Sequence, residues 1–113
     1  MHEYSIVQAL LDRVDQEARS RGATRIHAVR VRIGELAGVE VELLRTAYDT
    51  IRRGTACEDA PLDIDLTEAR WACPSCGTAL LRGAALQCPD CHQPACLASG
   101  DEIMLERIEM EVA

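Results

Sequence analysis

Neither lysine nor phenylalanine occurs among the 113 residues, and each absence removes a class of function. Without lysine, Schiff-base chemistry and a lysine-bearing phosphate loop are both excluded; all twelve basic residues are arginine. One tryptophan and two tyrosines offer little for stacking on bases, and a net charge of -7 lacks the basic footprint of a phosphate-backbone binder. No nucleic-acid partner is therefore expected. Apolar runs are also short. None approaches the roughly eighteen residues a membrane-spanning helix needs. The opening residues, Met1 to Ser5, carry neither the basic region nor the apolar stretch of a signal peptide. A cytoplasmic protein without membrane contact is expected, in a compartment that keeps thiols reduced.

What the chain has, against those absences, is a hydrophobic fraction of 48% and six cysteines. The first supports an aliphatic core rather than disorder. Four of the cysteines stand as two C-x-x-C pairs, Cys73–Cys76 and Cys88–Cys91, separated by Gly77 to Gln87. Each pair can sit on a tight turn with both thiolates facing one cation, and four thiolates complete the tetrahedral shell that zinc prefers. Pro74 and Pro89 fix φ after the first cysteine of each pair. Gly77 can take the left-handed conformation that closes such a turn, and His92 stands at the equivalent place in the second. A lobe of this size cannot bury enough apolar surface to order itself, so metal ligation supplies its folding free energy. Four thiolates leave no open coordination position, which makes the site structural rather than catalytic. Two structural disulfides, four unrelated thiols or a redox C-x-x-C explain the duplicated pair less well.

Periodicity predicts the remainder. Residues 4–21 read as an amphipathic helix with Ile6, Val7, Leu10, Leu11, Val14 and Ala18 on its apolar face. Residues 25–34 read as a strand in which Val29, Val31 and Ile33 alternate with Arg30 and Arg32, and His27 shares the parity of Val29. A second helix is predicted over 39–53, with Glu40 and Glu42 suiting the positive end of its dipole. Cys57 falls in the following loop as a spectator. Residues 62–71 and 101–112 read as two more strands. In the last, the apolar parity changes between Leu105 and Ile108, which predicts a bulge at Glu106 and Arg107. The expected fold is α+β: a three-stranded sheet covered by two helices, with a zinc-ribbon-like lobe inserted between the last two strands, themselves paired antiparallel. The expected division is 1–71 with 97–113 as one α/β domain, and 72–96 as the zinc lobe.

The amino terminus offers a second, different donor set. The free α-amine, the amide nitrogen of His2 and Nδ1 of its imidazole close a five- and then a six-membered chelate ring. A backbone amide surrenders its proton only to a metal that gains from a planar nitrogen field, which means Ni(II) or Cu(II). The amide of Glu3, its carboxylate or a side chain from elsewhere can supply a fourth donor. Protons compete for an amine and an imidazole around neutrality, so the site is weak and pH-sensitive, as suits a protein that must release its metal.

MHEYSIVQAL at the start, VRVRIGELAGV, CPSCG and CPDC, and the closing GDEIMLERIEMEV together resemble the HypA/HybF family, whose members insert nickel during [NiFe]-hydrogenase maturation. The resemblance runs nearly end to end. It implies nickel on Met1, His2 and Glu3, with His2 the essential side chain, and structural zinc on Cys73, Cys76, Cys88 and Cys91. It implies a metallochaperone rather than an enzyme. Implied partners are a GTPase of the HypB type and the [NiFe]-hydrogenase large subunit; since some members also serve urease, urease accessory proteins join them. His92 stands where the family usually has glycine, and Cys57 and Cys96 are additional thiols, of which Cys96 is near enough in sequence to substitute as a zinc ligand. The competing reading is a zinc-ribbon module for protein interaction, or an RNA or transcription accessory, with an inert amino terminus. The acidic balance counts against its RNA form.

Overall fold

The computed structural model describes residues 2–80, 83 and 86–113. Among the described residues two helices and six strands follow one another as α1 (His2–Ser20), β1 (Ala23–Gly34), α2 (Val41–Ile51), β2 (Leu62–Thr67), β3 (Arg70–Ala72), β4 (Ala79–Leu80), β5 (Cys96–Ser99) and β6 (Ile103–Val112). The strands form two sheets, ordered β2-β1-β6 and β4-β3-β5. The expected α+β plan of two helices, one three-stranded sheet and a cysteine lobe is the plan found. Two details differ.

First, the strand expected over 62–71 is two strands in different sheets. The chain leaves the main sheet after Thr67 and enters the smaller one at Arg70. Second, β2 and β6 do not pair with each other but flank β1. Their registers are parallel for β1–β2 (Val29 beside Leu62, Gly34 beside Thr67) and antiparallel for β1–β6. A parallel neighbour needs a crossover, and α2 supplies it, which makes β1-α2-β2 a βαβ unit.

The core lies between the helices and β1. Val7, Leu11, Val14 and Ala18 of α1 meet Ile26, Val29, Val31 and Ile33 of β1 and Leu44, Ala47 and Tyr48 of α2. The three- and four-residue spacing of the α1 set is what turns those side chains to one face. Tyr48 is fully buried, and its hydroxyl donates to the carbonyl of Ala60 at 2.8 Å, so the one polar atom it brings inside is satisfied. Cys57 packs in this core as an apolar residue, remote from the other thiols, and burial pushes its thiol pKa up.

The bulge in β6 is present. Arg30 faces Arg107 and Val31 faces Leu105, so Glu106 is the extra residue. A second bulge, not expected, lies in β1 between Ile26 and Ala28. It flips the parity there, so Ile26 enters the core and His27 is exposed, with Nε2 2.9 Å from Glu111 Oε1. The parity shared with Val29 therefore misplaces His27, because one inserted residue moves a side chain to the other face. On the sheet face away from the core, Arg30 lies 2.6 Å from Asp63, and Arg32 lies 3.1 Å from the bulged Glu106. The bulge turns that carboxylate toward the arginines.

The two sheets meet where β1, the β2–β3 connector and the β5–β6 connector touch backbone to backbone. Leu36 N–H donates to Gly100 O at 2.8 Å, and Glu35 N–H to Thr67 O at 2.9 Å. The Glu35 carboxylate accepts the N–H of Ala69, and the Glu102 carboxylate accepts that of Gly100. The second bond, first among several, holds Glu102 below the usual carboxylate range. A Cβ on Gly100 would fall 2.4 Å from the Ala69 Cα, and φ there is +113°. Both facts demand glycine. Gly100→Ala is expected to cost at least about 3 kcal/mol through overlap that neither backbone can relieve. A urea transition would read this as a lower midpoint at unchanged slope.

Candidate metal centres

Each C-x-x-C of the lobe follows a β-strand or bridge and closes on its own turn. After Ala72, Gly77 N–H donates to Cys73 O at 3.0 Å and Cys73 N–H to Thr78 O at 3.0 Å. The second turn repeats this pattern, with His92 N–H on Cys88 O and Cys88 N–H on Gln93 O, both at 2.9 Å. The residues that close the turns, Gly77 and His92, have φ of +76° and +58°. His92 is the one non-glycine residue at positive φ among those described, so it accepts the left-handed strain that the sequence assigns to that position.

The four Sγ atoms of Cys73, Cys76, Cys88 and Cys91 all lie within 4.8 Å of one another. Cys73 and Cys88 are buried, Cys91 is half-buried and Cys76 exposed. The N–H groups of Ser75 and Cys91 point at Cys73 Sγ and Cys88 Sγ, each at 3.4 Å. Such donors stabilise sulfur that carries negative charge. The hydroxyl of Thr78 lies 3.0 Å from Cys76 Sγ and, with the Thr78 N–H, lowers that thiol to about 6. The neighbouring Cys76 sulfur pushes Cys91 up to about 12. Four sulfurs this close cannot all be thiolates unless a cation sits among them. The donor set and its spacing fit a tetrahedral thiophilic dication such as zinc, with no position left for substrate. Cys96 is not one of the four. It sits opposite Ala72 in the β3–β5 pair, exposed, with its thiol donating to Ala72 O at 3.4 Å. Its nearness in sequence did not translate into nearness to the cluster.

At the other end, His2 is the first residue of α1 and is exposed. Met1, expected to supply the amine, lies outside the described residues. Glu3 was expected as a donor, and its side chain is engaged: the residue is buried, and its carboxylate accepts the N–H of Glu40 at 3.1 Å. Glu40 is the residue that caps α2 and brings no side-chain cap of its own. This bond, first, together with the backbone N–H of Glu3 itself, holds the Glu3 carboxyl below its ordinary range. The tether is therefore complete above the ordinary carboxylate pKa and is lost as pH falls through the lower folded value. It seats the head of α1 against the start of α2, fixing where His2 projects. Composition gave no sign of it, because the partner is a backbone N–H 37 residues away.

Comparison with known proteins gives the chain's relatives. Residues 1–110 match a family described as hydrogenase/urease nickel incorporation, metallochaperone, hypA. A hydrogenase maturation factor HypA from Methylocella silvestris is 35% identical over 113 residues, covering 98% of this chain and all of that protein. Another from Nitrosospira multiformis is 39% identical, covering 97% of each. Among solved structures, the solution structure of the Ni metallochaperone HypA from Helicobacter pylori has a TM-score of 0.75 at 30% identity, covering 98% of each chain. A further solution structure of a HypA protein reaches 0.83 at 31% identity, covering 100% of this chain and 98% of that one.

Proposed function

The chain belongs to the HypA family of nickel-incorporation metallochaperones, and from that premise we propose that it binds one Ni(II) at its amino terminus and hands it on during [NiFe]-hydrogenase maturation. The observation that carries the proposal is the extent of the match. It spans residues 1–110 and so takes in both His2 with Glu3 and all four clustered cysteines. In this reading Met1 provides the amine, His2 its amide and Nδ1, and Glu3 its amide. The Glu3 carboxylate, occupied by Glu40 N–H, serves as the strut that holds the chelate in place.

Cys73, Cys76, Cys88 and Cys91 hold structural zinc, and residues 72–96 form the lobe this metal orders. Residues 1–71 with 97–113 form the nickel-binding domain. The work is binding and release without turnover, since the one closed metal site offers no reaction centre. Delivery makes a HypB-type GTPase and the hydrogenase large subunit the partners, with urease accessory proteins as further ones. The setting is cytoplasmic; among the described residues no helix is long and apolar enough to cross a membrane. Metal analysis tests the proposal. The protein should contain one zinc as isolated and take up one further nickel. A zinc-only protein would instead be the interaction module that competes with this reading.

A further inference from the structure

The four cluster sulfurs are not equivalent toward a reagent in the solvent. Cys73 and Cys88 are 3% and 0% exposed, and each Sγ accepts a backbone N–H from its own turn. Cys91 is half-buried, and Cys76 is the exposed member of the set, with the Thr78 hydroxyl 3.0 Å from its Sγ. A bound cation keeps all four sulfurs deprotonated. Thiolate character and solvent access together decide which sulfur is oxidised, and Cys76 combines the two most fully. Oxidation that stops at a disulfide needs a second sulfur close by. Cys88 Sγ lies 3.7 Å from Cys76 Sγ, on the other turn and sealed from solvent. A disulfide holds its sulfurs about 2.0 Å apart, so a small closing of the two turns joins them.

We infer that Cys76 is an oxidation site for a hydroperoxide, resolved by Cys88 into a disulfide that joins the two turns and expels the zinc. The inference rests on the zinc reading of the cluster and is independent of nickel at the amino terminus. In the first step the Cys76 thiolate attacks the terminal peroxide oxygen. The O–O bond breaks, the sulfur becomes a sulfenic acid, and hydroxide or alkoxide leaves. In the second the Cys88 thiolate attacks the Cys76 sulfur. The S–S bond forms, the S–O bond breaks, and hydroxide leaves. The sulfur pair gives up two electrons, and the peroxide takes them. Cys73 and Cys91 then hold half a tetrahedral shell, and the cation passes to water. Without it the lobe loses the metal that orders it, while the amino-terminal donors keep their chemistry. A disulfide is reversible, so a thiol reductant and zinc restore the lobe.

The test treats the zinc-loaded full chain, free of nickel, with hydrogen peroxide after its zinc content has been measured. Peroxide should release the zinc to a chromogenic chelator and change the emission of Trp71, the one tryptophan of the chain and a residue of β3. Cleavage after arginine separates Cys73 and Cys76, on residues 71–82, from Cys88, Cys91 and Cys96, on residues 83–107. A dimedone trap at short times should label Cys76. The later product should be these two peptides linked through Cys76 and Cys88, and dithiothreitol with zinc should return the metal to the protein. Cys76→His leaves three cysteines and a histidine, a set that holds structural zinc elsewhere. It should keep its zinc, lose the label and the linked pair, and release metal more slowly under peroxide. If that variant fails to hold zinc, the parent's peptide map still decides. Cys96→Ser should behave as the parent. First labelling at another cysteine, a bridge through another pair, or undiminished release from Cys76→His overturns the proposal. A zinc-loaded parent that keeps its metal under peroxide overturns it too and leaves the zinc reading standing. A chain isolated without zinc contradicts that reading and removes the proposal with it.

Discussion

His2→Ala is expected to weaken Ni(II) binding by a factor of ten to a hundred or more, as loss of a good ligand commonly does. The substitution removes the imidazole and with it the six-membered chelate ring, while the amine and the backbone amides remain. Stability should hardly change. His2 is exposed at the head of α1, and the hydrogen bond it makes there is through its carbonyl, which accepts from Ser5 Oγ at 2.9 Å and is retained by alanine. A shift below about 0.5 kcal/mol is the scale for such surface positions. Titration calorimetry with Ni(II), run beside a thermal melt, separates the two quantities. A large loss of stability with unchanged nickel affinity would mean that His2 is a structural residue.

The second large effect belongs to the cysteine lobe. Cys73→Ser or Cys88→Ser removes a buried sulfur from the four-sulfur cluster and should release the zinc. No side chain of the small sheet β4-β3-β5 is buried, so without metal the lobe should lose its amide protection. The main core contains none of the four cluster sulfurs and should keep its protection, Val7, Leu11 and Val14 of α1 included. Hydrogen exchange reads both parts in one experiment. Equal loss in α1 would show that lobe and core fold as a single unit. Cys96→Ser is the control: with its thiol directed at Ala72 O, it should leave one equivalent of zinc bound.

Features set by near neighbours were legible in the sequence. The α1 stripe, the two C-x-x-C turns with left-handed Gly77 and His92, and the inserted Glu106 each follow from residues within one element. Features set across the chain were not. Nothing local distinguishes a strand over 62–71 from two strands that part at Thr67, because the break is made by contacts with Glu35 and Gly100. The parallel pairing of β1 with β2 did leave a signal, since a helix between two strands is the usual crossover. The bulge at His27 left only a one-residue signal, apolar Ile26 on the parity of Arg30 and Arg32, and the register with β6 is what makes it plain. At the amino terminus the donors of the proposed chelate are read from Met1, His2 and Glu3. The fastening of Glu3 to Glu40 is not, and it holds Glu3 against the start of α2.

The most direct test of the central claim leaves every native side chain in place. One residue is added ahead of Met1, and Ni(II) is titrated into the zinc-loaded protein and into the parent at the same pH. The addition moves the free amine out of the chelate and keeps His2, Glu3 and all four cysteines. An amine-anchored site predicts one nickel bound by the parent and an affinity at least about tenfold lower in the extended chain. Equal affinity in the two would place the nickel away from the amino terminus and contradict the account.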